Sequence, residues 1–352
     1  MKETLTYHLP HPSFKLNGKY CDRSALIQLG NRFLKEEENS QVSLGVFILQ
    51  WLDSTAEITL ETSGSTGIPK SIVMRKQSMV NSALATGSYF KLSPGATALS
   101  CLPFTYIAAK MMFVRAYVLG LELDCVPPSS SPLASVSKFY DFCAMVPLQV
   151  EKSIPFLNQI NTLIVGGAKL PAVLCKALKK SSSAVYETFG MTETVSHIAV
   201  KNLKKSAAVF EALPSISFEV DAHNCLRIEA PQLLSSPLQT KDVVRLVSET
   251  RFEWLGRYDT LINSGGIKIH PEQLEQQLSN QIRERFFIGS VPDTKLGARI
   301  VLVVETKEPF TIKLDHIERH KQPKDVYFLE AFAETTSGKL KRQETLALLK
   351  PV

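Results

Sequence analysis

The segment Glu61-Thr62-Ser63-Gly64-Ser65-Thr66-Gly67-Ile68-Pro69-Lys70-Ser71 packs hydroxyls, glycines and one cation into a short stretch. Gly64 and Gly67 permit tight turns that expose backbone N–H groups. Thr62, Ser63, Ser65 and Thr66 add hydroxyl donors and Lys70 adds charge, which together make a cradle for polyphosphate. It is not a Walker A loop, because Lys70 follows Gly67 by three positions instead of directly. Alone, such a loop is equally what a hairpin turn needs. The other chemistry-bearing residues also have plain readings in isolation. Gly166-Gly167 after an apolar run could be any strand-to-helix turn, Glu193 could support a helix, Asp242 could begin a strand, and Lys339 could be one more solvated lysine in the run Lys339-Leu-Lys341-Arg342. No nucleophile elbow and no Ser–His–Asp arrangement is visible, so no protein nucleophile is expected. His316-Ile-Glu-Arg-His320 has its Glu in the wrong place for a zinc protease and reads as a charged helix face, while His8 and His11 read as solvated.

Taken in order along the chain, these motifs resemble the acyl-adenylate-forming superfamily of acyl- and aryl-CoA ligases, luciferases and peptide-synthetase adenylation domains. The string Thr62–Lys70 is similar to that family's phosphate loop. Gly166-Gly167-Ala168 is similar to its turn against the adenine, and Thr188-Phe189-Gly190-Met191-Thr192-Glu193 to its Tyr-Gly-x-Thr-Glu motif. The resemblance implies that Gly167, Ala168, Thr188, Phe189 and Gly190 surround the nucleotide, with Phe189 stacked on adenine. It implies that Thr192 bonds the α-phosphate and that Glu193 holds Mg²⁺. Gln239-Thr240-Lys241-Asp242 resembles the Thr-Gly-Asp motif whose carboxylate takes the ribose hydroxyls. Gly256-Arg257-Tyr258-Asp259 resembles the hinge motif, with Arg257 on ribose or phosphate and Asp259 as pivot. Thr335-Thr336-Ser337-Gly338-Lys339 resembles the C-terminal loop that carries the adenylation lysine. Two departures stand out. Lys241 replaces the usual Gly, so the turn before Asp242 is expected to differ. The phosphate loop also lies near residue 62, roughly a hundred residues earlier than in typical relatives, so the first subdomain is expected to be trimmed and its apolar face lost or covered by another chain, making a homodimer plausible.

The implied reaction joins a carboxylic acid to CoA through an acyl-adenylate, with ATP, Mg²⁺ and CoA required. The protein must bring two anions together and stabilise the charge that develops. Lys339 suits that role, since at about 4 Å and an effective dielectric near 20 one cation–anion pair is worth about 4 kcal/mol. For the second half-reaction the family rotates its small domain about the hinge, and Gly265-Gly266 would let pantetheine pass close to the backbone. Leu102-Pro103-Phe104-Thr105-Tyr106-Ile107-Ala108-Ala109-Lys110, followed by Arg115-Ala116, resembles a compact bacterial branch of o-succinylbenzoate–CoA ligases of menaquinone biosynthesis, as does Phe189-Gly-Met-Thr-Glu-Thr194-Val-Ser-His197. That substrate is an aromatic keto-diacid, so donors are needed for a spectator carboxylate. Tyr106, Lys110, Thr194, Ser196 and His197 are the candidates, although Lys110 and His197 could equally satisfy local backbone or solvent. Other aryl- or medium-chain acyl-CoA ligases, a carrier-protein-loading enzyme and a catalytically silent nucleotide-binding protein are the competing readings.

The elements that must position these residues alternate. Ala56–Thr62 and Ser71–Met74 read as strands around the Gly-rich turn, Gln77–Phe90 as a helix, Thr97–Leu102 as a strand, Tyr106–Leu119 as a helix and Leu121–Val126 as a strand. Thr162–Val165 is a strand and Pro171–Lys180 a helix. Beyond residue 210, Ile216–Val220 with Cys225–Ala230, and Val243–Val247 with Phe252–Leu255, read as hairpins. From Leu261 on, a helix from Pro271 to about Gln281 and strands Phe286–Ser290 and Ile300–Glu305 suggest a small α+β unit, with Pro271 well placed at a helix start. The expectation is therefore an α/β protein. Residues 1–259 form a large ATP- and acyl-binding domain of an α/β and an antiparallel β subdomain, and residues 260–352 a mobile C-terminal domain. Of the 352 residues, 44% are apolar and 21% charged, which is ordinary globular composition. Forty basic against thirty-four acidic side chains leave +6, spread over both parts, which suits small anions at least as well as nucleic acid. The six cysteines are scattered without a Cys-x-x-Cys pair, as in a reduced protein. No secretory signal or membrane span is read, so the protein is expected in the cytoplasm, without nucleic-acid or membrane partners.

Overall fold

The structure, a computed structural model, describes residues 7–62, 70–205, 209–334 and 340–349. In chain order the elements are β1 (Lys15–Leu16), β2 (Lys19–Tyr20), α1 (Arg23–Phe33), α2 (Asn39–Leu52), β3 (Glu57–Thr62), β4 (Lys70–Arg75), α3 (Lys76–Phe90), β5 (Thr97–Ser100), α4 (Ile107–Leu119) and β6 (Glu122–Cys125). There follow β7 (Tyr140–Met145), α5 (Pro147–Ser153), β8 (Ile160–Val165), α6 (Ala172–Lys179), β9 (Ala184–Gly190), β10 (His197–Asn202), β11 (Phe210–Ala212), β12 (Ser217–Val220), β13 (Cys225–Glu229), β14 (Leu238–Ser248) and β15 (Arg251–Arg257). The last are β16 (Ile262–Ser264), β17 (Ile267–Ile269), α7 (Pro271–Leu278), β18 (Phe286–Asp293), β19 (Gly297–Glu305), β20 (Asp325–Leu329) and α8 (Arg342–Ala347).

One sheet carries thirteen of these strands, in the order β12-β13-β14-β15-β11-β10-β9-β8-β7-β5-β6-β1-β2. From β9 to β1 the pairs are parallel, as alternation with helices requires. From β9 across β10 to β12 they are antiparallel. The expected α/β and antiparallel regions are thus two halves of a continuous sheet that meet at β9 and β10. The Asp221–Asn224 turn is as read: the Asp221 carboxylate accepts from the His223 and Cys225 amides at 2.8 Å, and Asn224 takes the left-handed region.

The chain's own N-terminal segment packs against α4. Helix α2 buries Leu44, Phe47, Ile48, Trp51 and Leu52. Together these are worth roughly 10 kcal/mol of gross burial, at about 1.5–3 kcal/mol each. Phe47 stacks on Phe104 and meets Phe113 edge-on, and Trp51 meets Tyr117, so α2 seals one side of α4, which is buried from Ala109 to Val118. Those five buried residues stand at i, i+3, i+4, i+7 and i+8, the spacing of one helix face, but Val46 and Leu49 add apolar residues off that face and blur the stripe in the sequence. Helix α1 crosses it at glycines: a Cβ on Gly45 would stand 2.8 Å from the Gly30 carbonyl. His11 is not simply solvated, since its Nδ1 accepts from the Ser13 amide at 3.1 Å and its ring closes over Gly120, the left-handed cap of α4.

Past Asp259, which lies in the short turn Tyr258–Thr260, the chain forms separate sheets: a β16–β17 hairpin and β18-β19-β20. Their core is their own, built from Ile262, Leu274, Leu278, Ile288, Ile300 and Leu302. Pro271 begins α7 as read. His316–His320 is not a helix face but a pair of turns, pinned by the buried Ile317, so the two histidines share no helical register.

Candidate active site

Parallel strands deliver the residues that follow their C-terminal ends to one edge of the sheet, where open α/β folds bind ligands. Here β5 leads to Tyr106, β8 to Gly166–Ala168 and β9 to Gly190–Glu193. The first two glycine sites are explained by close approach. A Cβ on Gly166 would sit 2.3 Å from Thr188 Oγ1, and that hydroxyl donates to the Val165 carbonyl at 3.1 Å. Gly167 is left-handed, with φ 84°. Thr188 therefore props the Gly167-Ala168 turn, joining two motifs that lie apart in sequence. A Cβ on Gly190 would meet the Ser196 carbonyl at 2.3 Å, so β9 and β10 cross too tightly there for any side chain.

Phe189 is half-buried and anchored edge-on against Phe252, with Phe210 behind it. Thr192–Thr194 forms a single 3₁₀ turn. Thr194, expected on the substrate, is fully buried and spends its hydroxyl on that turn: it accepts from the Met191 amide and lies 2.8 Å from the Ser196 carbonyl. Val195 follows with φ 70°, a strained setting for a β-branched residue. The turn leaves Glu193 exposed. Among the described residues no three His, Cys, Asp or Glu side chains cluster as a metal site. A lone exposed carboxylate fits Mg²⁺, which takes one or two carboxylates and completes its shell with phosphates and water.

Asp242 is buried, and its Oδ1 accepts from the Trp254 indole N–H at 2.9 Å. Burial pushes its carboxyl up, and the Trp254 bond and Arg257 pull it back. Lys241 lies inside β14 at an irregularity of the β13–β14 register but without a positive φ, so the glycine of the related motif is not needed at this position. Lys169, next to the Gly167-Ala168 turn, holds its ammonium 5.4 Å from the Trp254 ring centre. The ribose-type carboxylate and the adenine-type turn are thereby bridged by two side chains. Arg257, expected on ribose or phosphate, makes a bidentate pair with Asp259 at 2.9 and 2.8 Å. The arginine holds the hinge carboxyl below its usual range. Gly265 and Gly266 form the two-residue turn of the β16–β17 hairpin, both with positive φ, the geometry of a type I′ turn. The open space beside Gly266 leaves that turn approachable.

Ser63, Gly64, Ser65, Thr66, Gly67 and Lys339 lie outside the described residues. Thr62 and Lys70 pair directly at the base of the β3–β4 hairpin, so the backbone brings the two ends of the phosphate-type loop together.

The acid side holds a residue that sequence motifs alone do not single out. Arg115 is 1% exposed. Its Nε donates to Thr86 Oγ1 at 3.3 Å, and its Nη2 reaches Ser196 Oγ at 2.8 Å and His197 Nδ1 at 3.3 Å. Its Nη1 faces only the Met112 sulfur at 3.7 Å. Every partner is neutral, and no carboxylate pairs with it among the described residues. Burial pulls its guanidinium down to about 9, still cationic at neutral pH. The same burial, together with Arg115, drives His197 well below its usual value, so the imidazole is neutral. His197 thus serves neither backbone nor solvent but Arg115. Lys110 is largely buried, with its ammonium 5.7 Å from the Phe47 ring centre and no acidic partner among the described residues. Tyr106 caps α4 and is 50% exposed.

The AMP-binding enzyme family matches residues 59–220. The crystal structure of an AMP-forming acyl-CoA synthetase/AMP-acid ligase II-like protein from Dyadobacter fermentans is 33% identical, covers 91% of this chain and 97% of its own, and superposes with a TM-score of 0.62. The o-succinylbenzoate CoA synthetase of Bacillus subtilis, in complex with the acyl-adenylate intermediate, shares the fold with a TM-score of 0.72 at 19% identity, over 81% of this chain and 68% of that one. The 2-succinylbenzoate–CoA ligase of Haemophilus influenzae is 24% identical over 310 residues, which are 79% of this chain and 68% of that protein. At 33% identity over nearly the whole of both chains, the Dyadobacter protein fixes the family: the chain belongs to the AMP-binding, AMP-forming acyl-CoA synthetases.

Proposed function

We propose that this enzyme is a 2-succinylbenzoate–CoA ligase: it activates the succinyl carboxylate with ATP, releases diphosphate, and passes the acyl group from AMP to the CoA thiol. The observation that carries the choice of acid is Arg115, a buried cation without a counter-ion among the described residues, joined to Ser196 and His197 just beyond the Thr192-Glu193 turn. An uncompensated buried charge costs several kcal/mol, and a ligand carboxylate at the Met112 edge of the guanidinium would remove that cost. A diacid whose second carboxylate is not activated supplies such an anion; a fatty acid or benzoate does not. The relatives named 2-succinylbenzoate–CoA ligase support the same choice.

In this reading the chain divides its work about Asp259, with residues 1–259 binding ATP and acid and residues 260–352 moving. Asp242, steadied by Trp254, takes the ribose. Gly167, Ala168 and Phe189 border the adenine, and Thr192 bonds the α-phosphate. The loop Thr62–Lys70 holds the outer phosphates, and Lys339 sits between the two anions during attack. Glu193 would hold Mg²⁺, which lends charge to the departing diphosphate. Tyr106 and Lys110 border the acyl path, and Gly265 and Gly266 the thiol path. The Arg257–Asp259 pair sets the hinge while the small domain changes position. ATP–diphosphate exchange dependent on 2-succinylbenzoate, followed by thioester formation on adding CoA, tests the proposal. Strong turnover of benzoate or a fatty acid with none of the diacid would point to another acyl-CoA ligase. No exchange with any acid would point to a silent nucleotide-binding protein.

A further inference from the structure

Thr86 lies on α3, fully buried, and lines no part of the nucleotide site. A hydroxyl has one proton and two lone pairs. The Thr86 proton goes to the Ser82 carbonyl one turn back, at 2.9 Å. The hydroxyl can therefore only accept from its two other neighbours, Arg115 Nε at 3.3 Å and His197 Nε2 at 3.5 Å. That direction fixes the imidazole. Nε2 must carry the proton, which leaves Nδ1 bare to accept from Arg115 Nη2. Ser196 takes the remaining Nη2 proton. Two edges of the guanidinium are thus pinned, and the Nη1 edge is left with only a thioether. Helices α3 and α4 approach closely enough for this because of Gly87, where a Cβ would stand 2.6 Å from Leu119. Valine is β-branched like threonine and differs in lacking the hydroxyl, so shape alone does not call for that group.

We propose that Thr86 is a positioning residue for acid selection: by accepting from both Arg115 and His197 it fixes the imidazole tautomer and aims the free edge of Arg115 at the second anionic group of a dicarboxylic substrate. This rests on the diacid reading above. Thr86→Val keeps the shape and removes the acceptor, and Thr86→Ser restores it. The specificity ratio, kcat/KM for 2-succinylbenzoate over kcat/KM for β-benzoylpropionate (the same skeleton without the ring carboxylate), separates aiming from packing. It is expected to fall about tenfold in Thr86→Val, the size of one charge-assisted bond loosened, through KM for the diacid. Thr86→Ser should recover it, and KM for ATP should stay put. Nitrogen-15 spectra of the His197 ring give a readout independent of turnover. The wild type should show an unprotonated Nδ1 and a protonated Nε2, and Thr86→Val a mixture. An unchanged ratio in Thr86→Val, an equal loss with both acids, or an Nδ1-protonated wild type would overturn the role of Thr86. Failure of the wild type to use any diacid would instead overturn the diacid reading. If Thr86→Val does not fold, the wild-type tautomer still decides.

Discussion

Replacing Arg115 with Met should weaken the enzyme and stabilise the protein at once. The guanidinium is 1% exposed and meets Thr86, Ser196, His197 and a thioether, all neutral. A ligand carboxylate about 4 Å away gains about 4 kcal/mol at an effective dielectric near 20. Part of this is offset by desolvating the carboxylate, leaving about 2–3 kcal/mol of net binding. At about 1.4 kcal/mol per tenfold, KM for 2-succinylbenzoate should rise roughly 30- to 150-fold. Meanwhile the empty protein sheds a charge whose burial costs several kcal/mol. Nothing need be orphaned by the change. Ser196 Oγ already lies 3.3 Å from His197 Nδ1, His197 Nε2 lies 3.5 Å from Thr86, and Thr86 donates to Ser82. Arg115→Met should accordingly gain about 1–3 kcal/mol in denaturant unfolding. Steady-state diphosphate release with 2-succinylbenzoate and with β-benzoylpropionate, alongside urea titration, reads both effects. A variant that loses stability, or that loses both acids equally, would show that Arg115 is a structural cation and refute the reasoning.

Three further outcomes follow from the same geometry. His197 is held well below its usual value, so unfolding takes up a proton once the solution pH drops under about 6.5. Stability is then lost as pH falls through that range, by up to about 1.36 kcal/mol per pH unit for this one group, and His197→Gln should remove that slope in a urea series across pH. Trp254→Phe keeps the ring under Lys169 but deletes the bond to Asp242 Oδ1, so KM for ATP should rise about tenfold with KM for the acid unmoved; a change confined to the acid would break the ribose assignment. Lys339→Ala should abolish acyl-adenylate formation yet spare thioester formation from supplied acyl-adenylate, and equal loss of both steps would end the division of labour between the two half-reactions.

Most of the nucleotide side was legible in the sequence because its chemistry is local. Gly166, Gly190, Gly265 and Gly266 are forced by close approach or positive φ, and such positions accept one residue type, so a string of letters can announce them. Strands β5, β8, β12 and β13 and helices α3, α4 and α6 were legible within a residue or two, since each is bounded by turn chemistry. What the sequence hid depends on contact between distant segments. Helix α2 buries one face against α4 and α1, but its other sides also carry apolar residues, with Val46 40% exposed, and so the stripe was blurred in the sequence. The turns at His316–His320 answer to Ile317 below them and not to the i, i+4 spacing of the histidines.

Arg115 shows the same limit at the site itself. In the sequence it is a lone arginine in an apolar helix, indistinguishable from one whose charge is met by a distant carboxylate. Only the fold shows that α3 and β10 bring a hydroxyl, a serine and an imidazole to it, and that no acid comes with them among the described residues. The positions that bind what every relative binds are written in short motifs. The position argued to select the acid is written in which elements meet around α4, and the missing counter-charge is itself the signal. If, as proposed, the substrate's second carboxylate meets the edge of Arg115 that faces only a thioether, occupancy by the right acid is a folding contribution as well as a binding one. Saturating diacid should therefore raise the melting temperature of the wild type more than that of Arg115→Met, and an equal rise in both would place the missing anion elsewhere.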